Sequence, residues 1–473
     1  MIRTIMKREI LDQLSGLKFT SILAVCSMLI ILSIYTGAAN YVSEQREYET
    51  TRRLARTELE SYSSYADVGI QGVKVPKKPS PLSLIVSGVQ GTFSKFVTVR
   101  STGRSELSFS RSTENPIFAV FGDLDLSFIV KVILSLLVIM LTYDAISGEQ
   151  ERGTLKLVLS NPIPRVKVIL AKMLSLLVCL LIAILPAVLV GLLIVSIVFN
   201  VHFTGEQWSR LGLIFGVYGL YLLLIFALGM FVSARTHRSS MSLLLLLLLW
   251  VIFVNVIPRT AVIVAKHLRP TPTYSEIQSK MEANRRERME EFAIQVFKLT
   301  TSGQFGKGDV EALQQKMEGL REQIEEEIER DNAKITEDYE RRKNNLMQLA
   351  VNLSRISPIS AMSYAAMRLA GTGPQSHERF MLDINIYREA LQRYVSEHGG
   401  IIGGQAQMIQ RLIKGETQRP APLDLSGLPV FREHPERLAK SIQHVLPDVV
   451  LLALGAAVLL MLAFLSFVRY EVQ

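Results

Sequence analysis

The chain is poor in charged residues and in cysteine for its size. Only 20% of its 473 residues are Asp, Glu, Lys or Arg, whereas 49% are hydrophobic, and there are two cysteines. A soluble protein of this length carries more charge. Cys26 and Cys179 both fall within apolar runs, so exported segments contain no disulfide framework. The composition therefore predicts a membrane protein whose external parts are stabilised by packing.

A dense basic patch is also missing, although the formal net charge is +9. Lys and Arg instead gather beside apolar runs, as the positive-inside rule expects for cytoplasmic loops. These residues are Arg3, Lys7, Arg8, Lys18, Arg152, Lys156, Arg165, Lys167 and Lys172. Topology explains the charge, and nucleic acid is not an expected partner.

Motifs of catalysis and of metal or nucleotide binding are missing as well. The stretch 303–308 lacks the spacing and terminal Ser or Thr of a phosphate-binding loop. The seven histidines show no zinc-binding spacing, and no G-x-S-x-G elbow occurs. We therefore predict no catalytic, metal-binding or cofactor-binding residues and no enzyme activity in this chain.

Six apolar runs are each long enough to cross about 30 Å of hydrocarbon. They cover 19–39, 126–146, 168–199, 211–234, 239–257 and 447–468. The first run is too long for a signal-peptide core, which favours a retained anchor over cleavage after Ala39. The pattern predicts a mainly α, multi-pass protein of the bacterial inner membrane, with six transmembrane helices and both termini inside.

This topology assigns each segment between the runs to the cytoplasmic or the external side of the membrane. Residues 1–18 predict a helix on the cytoplasmic membrane surface, and 147–167 a cytoplasmic loop. The external segment 40–125 begins with a charged helical stretch over 40–66 and contains a small β element near 96–99 and 107–109. The external segment 258–446 is mostly helical. Its apolar spacing predicts a coiled-coil-like hairpin of 274–300 with 313–346, turning at 302–308, and an amphipathic helix near 380–394.

The most informative stretch lies between the second and third runs. It reads YDAISGEQERGTLK at 143–156, continues as NPIPR at 161–165, and is followed by Lys172. An acidic residue, an E-x-E-R-G-T-L run, a Pro-Arg element and a Lys in this order resemble type-2 (ABC-2-like) ABC exporter permeases. Features at 79–83, 88, 122–125 and 357–373 resemble the subgroup with a large external domain.

The resemblance implies a coupling helix over 148–159 that sits in a groove of a separate cytoplasmic ATPase. It implies two ATPase copies, which bind the ATP and Mg, and a second permease, identical or paralogous. Membrane lipids surround the spans, and a periplasmic partner is expected if the work is mechanical. The residues that the resemblance assigns to ATPase coupling are Asp144, Glu149, Glu151, Arg152, Gly153, Thr154, Pro162, Arg165 and Lys172. The alternative is a solvated loop whose charges only enforce topology.

Small residues in the fourth run predict close helix packing. Gly212, Gly216 and Gly219 would let helices approach, within the chain or between two permeases. Pro186 predicts a kink in the third span. No span is expected to bury a charge at mid-depth, which argues against an ion-driven carrier.

Two functions are therefore favoured over an ion-driven carrier. The favoured one is the permease of an ATP-driven exporter, which moves an unidentified substrate or does mechanical work on an envelope partner. The other is a membrane-anchored scaffold or assembly factor without transport. The sequence identifies no substrate.

Overall fold

The computed structural model describes residues 2–62, 64–92, 95–101, 106–107, 124–154, 164–301, 310–398, 425 and 427–469. Within these ranges, six helices are long and apolar enough to cross a membrane. We name them spans 1 to 6: Leu23–Glu60, Leu126–Glu151, Arg165–Ile197, Gly205–Arg235, Ser239–Leu268 and Leu438–Val468. The chain is a mainly α polytopic membrane protein with a small sheet, and the predicted fold class is confirmed.

The chain divides into two compact units. Unit 1 contains Met1–Val254 and Ala361–Gln473, and unit 2 contains Asn255–Ser360. Unit 1 therefore holds spans 1 to 4, span 6 and the first half of span 5, together with the small sheet.

Two helices open unit 1. The N-terminal helix covers Ile2–Ser15, and the next helix runs from Leu17 to Glu60. At 44 residues it is about 66 Å long, so the charged stretch after residue 40 continues the helix of span 1. A Cβ on Gly37 would lie 2.1 Å from the carbonyl oxygen of Leu84. Glycine at this position lets the 3-10 turn Pro81–Leu84 lie against the helix.

The sheet of unit 1 has three antiparallel strands in the order β1 (Val73–Pro76), β2 (Phe96–Val99) and β3 (Glu106–Leu107). The predicted β element is thus present, although residues 108 and 109 lie outside the described residues. The amphipathic helix is also present, as Pro374–Glu397. Its apolar face and the sheet share one buried core. That core includes Phe380, Ile384, Tyr387, Leu391, Val73, Val75, Val97 and Val99.

Unit 2 is a helical hairpin. Helix Tyr274–Thr301 packs along helix Val310–Ser354, and Ile277, Ile324 and Ile328 are buried. Arg288 joins the two helices through Glu327 at 2.9 Å and Asp331 at 2.8 Å. The predicted hairpin is therefore present, whereas its predicted turn at 302–308 lies outside the described residues.

Span 6 contains a buried acidic residue. Its helix begins at Leu438, ahead of the apolar run, so Asp448 is the eleventh of its 31 residues. The side chain is only 3% exposed. The helix starts before the predicted apolar run 447–468, of which Asp448 is the second residue, so the prediction that no span buries a charge at mid-depth stays a prediction.

Candidate functional site

A short helix follows the membrane part of span 2. This loop helix covers Ser147–Glu151 and is followed by a turn at Arg152 and Gly153. Gly153 has a φ of 72°, a left-handed conformation that commonly ends helices and favours glycine. The prediction of one continuous helix over 148–159 is therefore wrong at Gly153. Pro162, which the sequence also assigns to this site, lies outside the described residues.

Lys172 is the charged centre of the site. Its Nζ donates to Glu149 Oε1 at 2.6 Å and to Glu9 Oε1 at 3.0 Å. The lysine side chain is 6% exposed and the two glutamates are about one quarter exposed. Lys172 thereby joins span 3 to the loop helix and to the N-terminal helix, which precedes it by more than 150 residues.

Lys172, Glu149 and Glu9 form an ionic triad whose charges do not cancel. Two carboxylates face one ammonium group, and the second oxygen of Glu149 is buried without a hydrogen-bond partner among the described residues. Removing a partner from a buried ion pair leaves an uncompensated charge, which costs more than the pair contributes. Lys172 is therefore the residue on which the arrangement depends.

Span 4 caps the loop helix. The residue before the helix, Ile146, has no side-chain acceptor, although helix N-termini expose unpaired backbone N–H groups. Ser233 Oγ accepts from the backbone N–H of both Ile146 and Ser147, each at 3.1 Å. A side chain from another span thus supplies the N-terminal cap.

Span 5 is held from the other end of the loop helix. Glu151 Oε2 accepts from the backbone N–H of Ser239 at 3.0 Å and from its hydroxyl at 2.8 Å. Ser239 is the first residue of span 5, so the Glu151 carboxylate caps the positive end of that helix. His237 Nδ1 lies 3.3 Å from Gln150 Oε1.

The remaining predicted residues lie around this centre. The carbonyl of Asp144 accepts from Gly148 N–H at 2.9 Å. Arg165 Nη1 donates to the carbonyl of Val468 at 2.8 Å, which satisfies the C-terminal end of span 6. Arg152 and Thr154 are exposed. The structure thus brings parts of all spans but span 1 to the loop helix or to the start of span 3.

Sequence reasoning missed Glu9, Ser233, His237 and Ser239. Two sequence signals point to three of them. Glu9 is an acidic residue on a helix rich in Arg and Lys. Ser233 and Ser239 are the polar residues that flank the short basic turn between spans 4 and 5.

A family model described as ABC-2 family transporter protein matches residues 3–473. The chain belongs to this family. No curated protein matches it. As an ABC-2 family membrane protein, it is a permease component of an ABC transporter, and permeases of this family work with a cytoplasmic ATPase, often as dimers.

The predicted packing glycines of this ABC-2 permease point away from the described residues. A Cβ built on Gly212, Gly216 or Gly219 meets no described atom within 4 Å. Gly229, which the sequence did not single out, makes the close approach instead: its Cβ would lie 1.9 Å from Thr142 Oγ1. Packing of the first three glycines against a second permease stays a prediction. Pro186 lies inside the helix of span 3.

Proposed function

We propose that this ABC-2 permease couples ATP hydrolysis by a separate cytoplasmic ATPase to rearrangement of its spans in the bacterial inner membrane. The rearrangement exports a substrate or does mechanical work on an envelope partner. One observation carries the proposal: a five-residue helix on the predicted cytoplasmic side is bonded to spans 3, 4 and 5. A force on so short an element reaches several membrane helices at once.

The exposed side of the loop supplies the docking surface in this proposal. Arg152, Gly153 and Thr154 are exposed, whereas Glu149 and Ser147 face the protein. We call these three residues the docking tip. The predicted coupling residues therefore have two roles. Glu149 and Glu151 hold the loop helix in place, and the docking tip contacts the ATPase.

A second network supports transmission to the predicted outer side. Arg210, in the first turns of span 4, donates to the carbonyls of Leu369 at 3.1 Å and Glu436. It also contacts Ser441 of span 6 at 3.4 Å. Spans 4 and 6 are thereby bonded to Leu369, a residue of unit 1 near the end of helix Pro358–Ala370. Movement of the two spans would carry this end of the helix with them.

The carboxylate of Glu436 reinforces that network. It pairs with Arg379 of the amphipathic helix and with Arg368 at 3.7 Å. Burial by itself raises the pKa of Glu436, but the hydrogen bond from Arg379 and the charges of Arg379 and Arg368 outweigh it, so the pKa lies below its ordinary value. The carboxylate is therefore ionised at neutral pH and holds Arg368 and Arg379, two residues of unit 1, beside the start of span 6.

The test is purification of the permease from its native membranes, followed by assay of ATP hydrolysis and mass spectrometry of the bound subunits. We expect an ABC ATPase in stoichiometric amount. The variant Arg152→Glu with Thr154→Arg changes the docking tip without removing a bond within the ionic triad. It should lose the ATPase and the ATP hydrolysis.

The matched control reverses an exposed ion pair on the hairpin, Arg321→Glu with Glu325→Arg. It should keep the ATPase. Reproducible absence of an ATPase from the unaltered protein would instead favour the scaffold function. Equal ATPase recovery from the docking-tip variant would contradict the assignment of the docking surface.

A further inference from the structure

Spans 2 and 5 each contain a π-helical turn. The turn of span 2 is Ile129–Leu134 and that of span 5 is Ile252–Val256. A π turn inside an α-helix is rare and less favourable than the α-helix it interrupts, and it often marks a functional position. Residues 129–134 contain neither proline nor glycine. The cause of the turn in span 2 must therefore be sought in its contacts.

Side chains from three spans converge where the π turn of span 2 ends. Ser135 Oγ donates to the carbonyl of Lys131 at 2.6 Å and accepts from Trp250 Nε1 at 2.8 Å. The hydroxyl of Tyr221 donates to the same Lys131 carbonyl at 3.3 Å. Trp250 itself lies two residues before the π turn of span 5.

These bonds pair the polar groups at the end of the π turn, where Ser135 Oγ also lies 3.0 Å from the carbonyl of Val132. A backbone carbonyl without a hydrogen-bond partner is unfavourable in the membrane interior, and the hydroxyls of Ser135 and Tyr221 both donate to the carbonyl of Lys131. Ser135 is 0% exposed and Tyr221 is 1% exposed, so water does not compete. Because a π turn is less favourable than an α-helical turn, its presence depends on contacts such as those of Tyr221 with the Lys131 carbonyl and of Trp250 with Ser135.

Both ends of span 2 are anchored on either side of this turn. At the inner end, Ser233 holds the loop helix. At the outer end, the carboxylate of Asp125 accepts from Phe128 N–H at 2.8 Å and from the N–H and hydroxyl of Ser87, each at 3.0 Å. The π turn therefore lies between the candidate coupling site and the predicted external segment.

We propose that the π turn of span 2 is a two-state joint, held in its present register by Trp250 and Tyr221. Taking one residue out of the bulge rotates the outer end of the helix by about 100° relative to the inner end, given 3.6 residues per α-helical turn. Movement of the loop helix would thus become rotation of Asp125 against Ser87. That the movement passes from the loop helix to Asp125 rests on the proposed function. The existence of the two registers does not.

The joint is tested on the permease alone in lipid nanodiscs, with no ATPase present. Nitroxide labels are placed at Leu124→Cys and Trp208→Cys, two exposed positions at the outer ends of spans 2 and 4. Cys26 and Cys179 are replaced by alanine. In the unaltered sequence we expect one distance between the labels. Tyr221→Phe with Trp250→Phe should add a second distance, because this rotation displaces a Cα on a helix of radius about 2.3 Å by about 3.5 Å.

Tyr218→Phe is the matched control. It also removes a tyrosine hydroxyl of span 4 that contacts span 2, at Ser127, but it leaves the π turn untouched. It should keep the single distance. If the double variant does not fold, Ser135→Ala, which removes the bridging hydroxyl, should give the second distance.

One unchanged distance in the folded double variant, or in Ser135→Ala, would overturn the joint, as would the same second distance in Tyr218→Phe. Because no ATPase takes part, either result leaves the proposed function standing. Likewise, a result that contradicts ATPase binding would not change what these distances show about the joint.

Discussion

Lys172 Nζ lies 2.6 Å from Glu149 Oε1, in a contact that joins span 3 to the loop helix. Glu149 therefore takes part in an internal ion pair, and only about one quarter of its side chain is exposed. The resemblance assigns both residues to ATPase coupling, and the geometry makes them supports of the loop helix. Glu9 completes the triad from the N-terminal helix.

Replacing Lys172 by methionine should destabilise the permease. The change leaves Glu9 and Glu149 facing each other without a counter-ion, and breaking a buried pair in this way costs about 3–5 kcal/mol. Glu9→Gln should cost much less, because Lys172 keeps Glu149 and the surplus negative charge disappears. Thermal unfolding of the purified protein in detergent measures both effects.

Lys167→Met is the control for this prediction, since Lys167 is an exposed lysine on the same helix. Its unfolding temperature should match that of the unaltered protein. An equal loss of stability in Lys167→Met and Lys172→Met would show that the triad is not responsible.

Gly229→Ala should be poorly tolerated and Gly216→Ala well tolerated. The new methyl group at 229 would lie 1.9 Å from Thr142 Oγ1, whereas at 216 it meets no described atom within 4 Å. Overpacking of this kind costs about 1–3 kcal/mol. The thermal unfolding temperatures of the two variants test this prediction. A Gly229→Ala protein as stable as the unaltered one would contradict the close approach of spans 2 and 4.

The spans and the hairpin were predictable because their causes are local. A bilayer requires a long apolar helix with internally paired backbone groups, so hydropathy alone reveals each crossing. The spacing of Ile324 and Ile328 likewise marks the buried face of the hairpin. These features need no knowledge of which segments meet.

The candidate site was only partly predictable because its partners are distant in the chain. Glu9 meets Lys172 across 163 positions, and Ser233 caps a helix 86 positions away. The left-handed turn at Gly153 breaks a helix that residues 148–159 otherwise favour. The π turn of span 2 is contacted by Tyr221 of span 4 and, through Ser135, by Trp250 of span 5, and residues 129–134 themselves give no sign of it.

The acid stability of the permease should depend on Glu436. Its pKa in the folded protein lies below the ordinary value. Its ionised form therefore contributes stability above the unfolded pKa of about 4.3, and this contribution is lost as the pH falls through the folded pKa. Unfolding temperatures measured from pH 7 down to about 3.5 should fall less steeply in Glu436→Gln, which starts from a lower value at pH 7.

Glu60 provides the comparison for Glu436. Its only described ion pair is with Arg56, and both side chains are exposed, so such a pair contributes little. Glu60→Gln should reproduce the pH profile of the unaltered protein. A Glu436→Gln profile that also matches would show that the network around Glu436 does not stabilise the fold.

The core of the sheet in unit 1 should depend on Phe380. This side chain is 1% exposed and packs in the core shared by the sheet and helix Pro374–Glu397. Phe380→Ala should cost about 3–5 kcal/mol. Leu382→Ala, on the exposed side of the same helix, should cost little. Hydrogen exchange of β1 and β2 should accelerate in the first variant only, and similar rates in both would contradict the assigned core.

The orientation of the permease can be tested with two single cysteines. Ser279 is exposed on the hairpin helix Tyr274–Thr301, and Thr154 is exposed beside the loop helix. Six crossings with the N-terminus inside place these positions on opposite sides of the membrane. A membrane-impermeant maleimide should therefore label Ser279→Cys in intact spheroplasts and Thr154→Cys only after the membrane is opened.

The native cysteines do not obscure this measurement, because Cys26 and Cys179 are both buried. The unaltered protein should remain unlabelled in spheroplasts. Labelling of Thr154→Cys from outside would invert the orientation, and the loop helix could then not meet a cytoplasmic ATPase. The same result would leave the ionic triad intact but would remove the reason for assigning it to coupling, so this experiment tests function independently of fold.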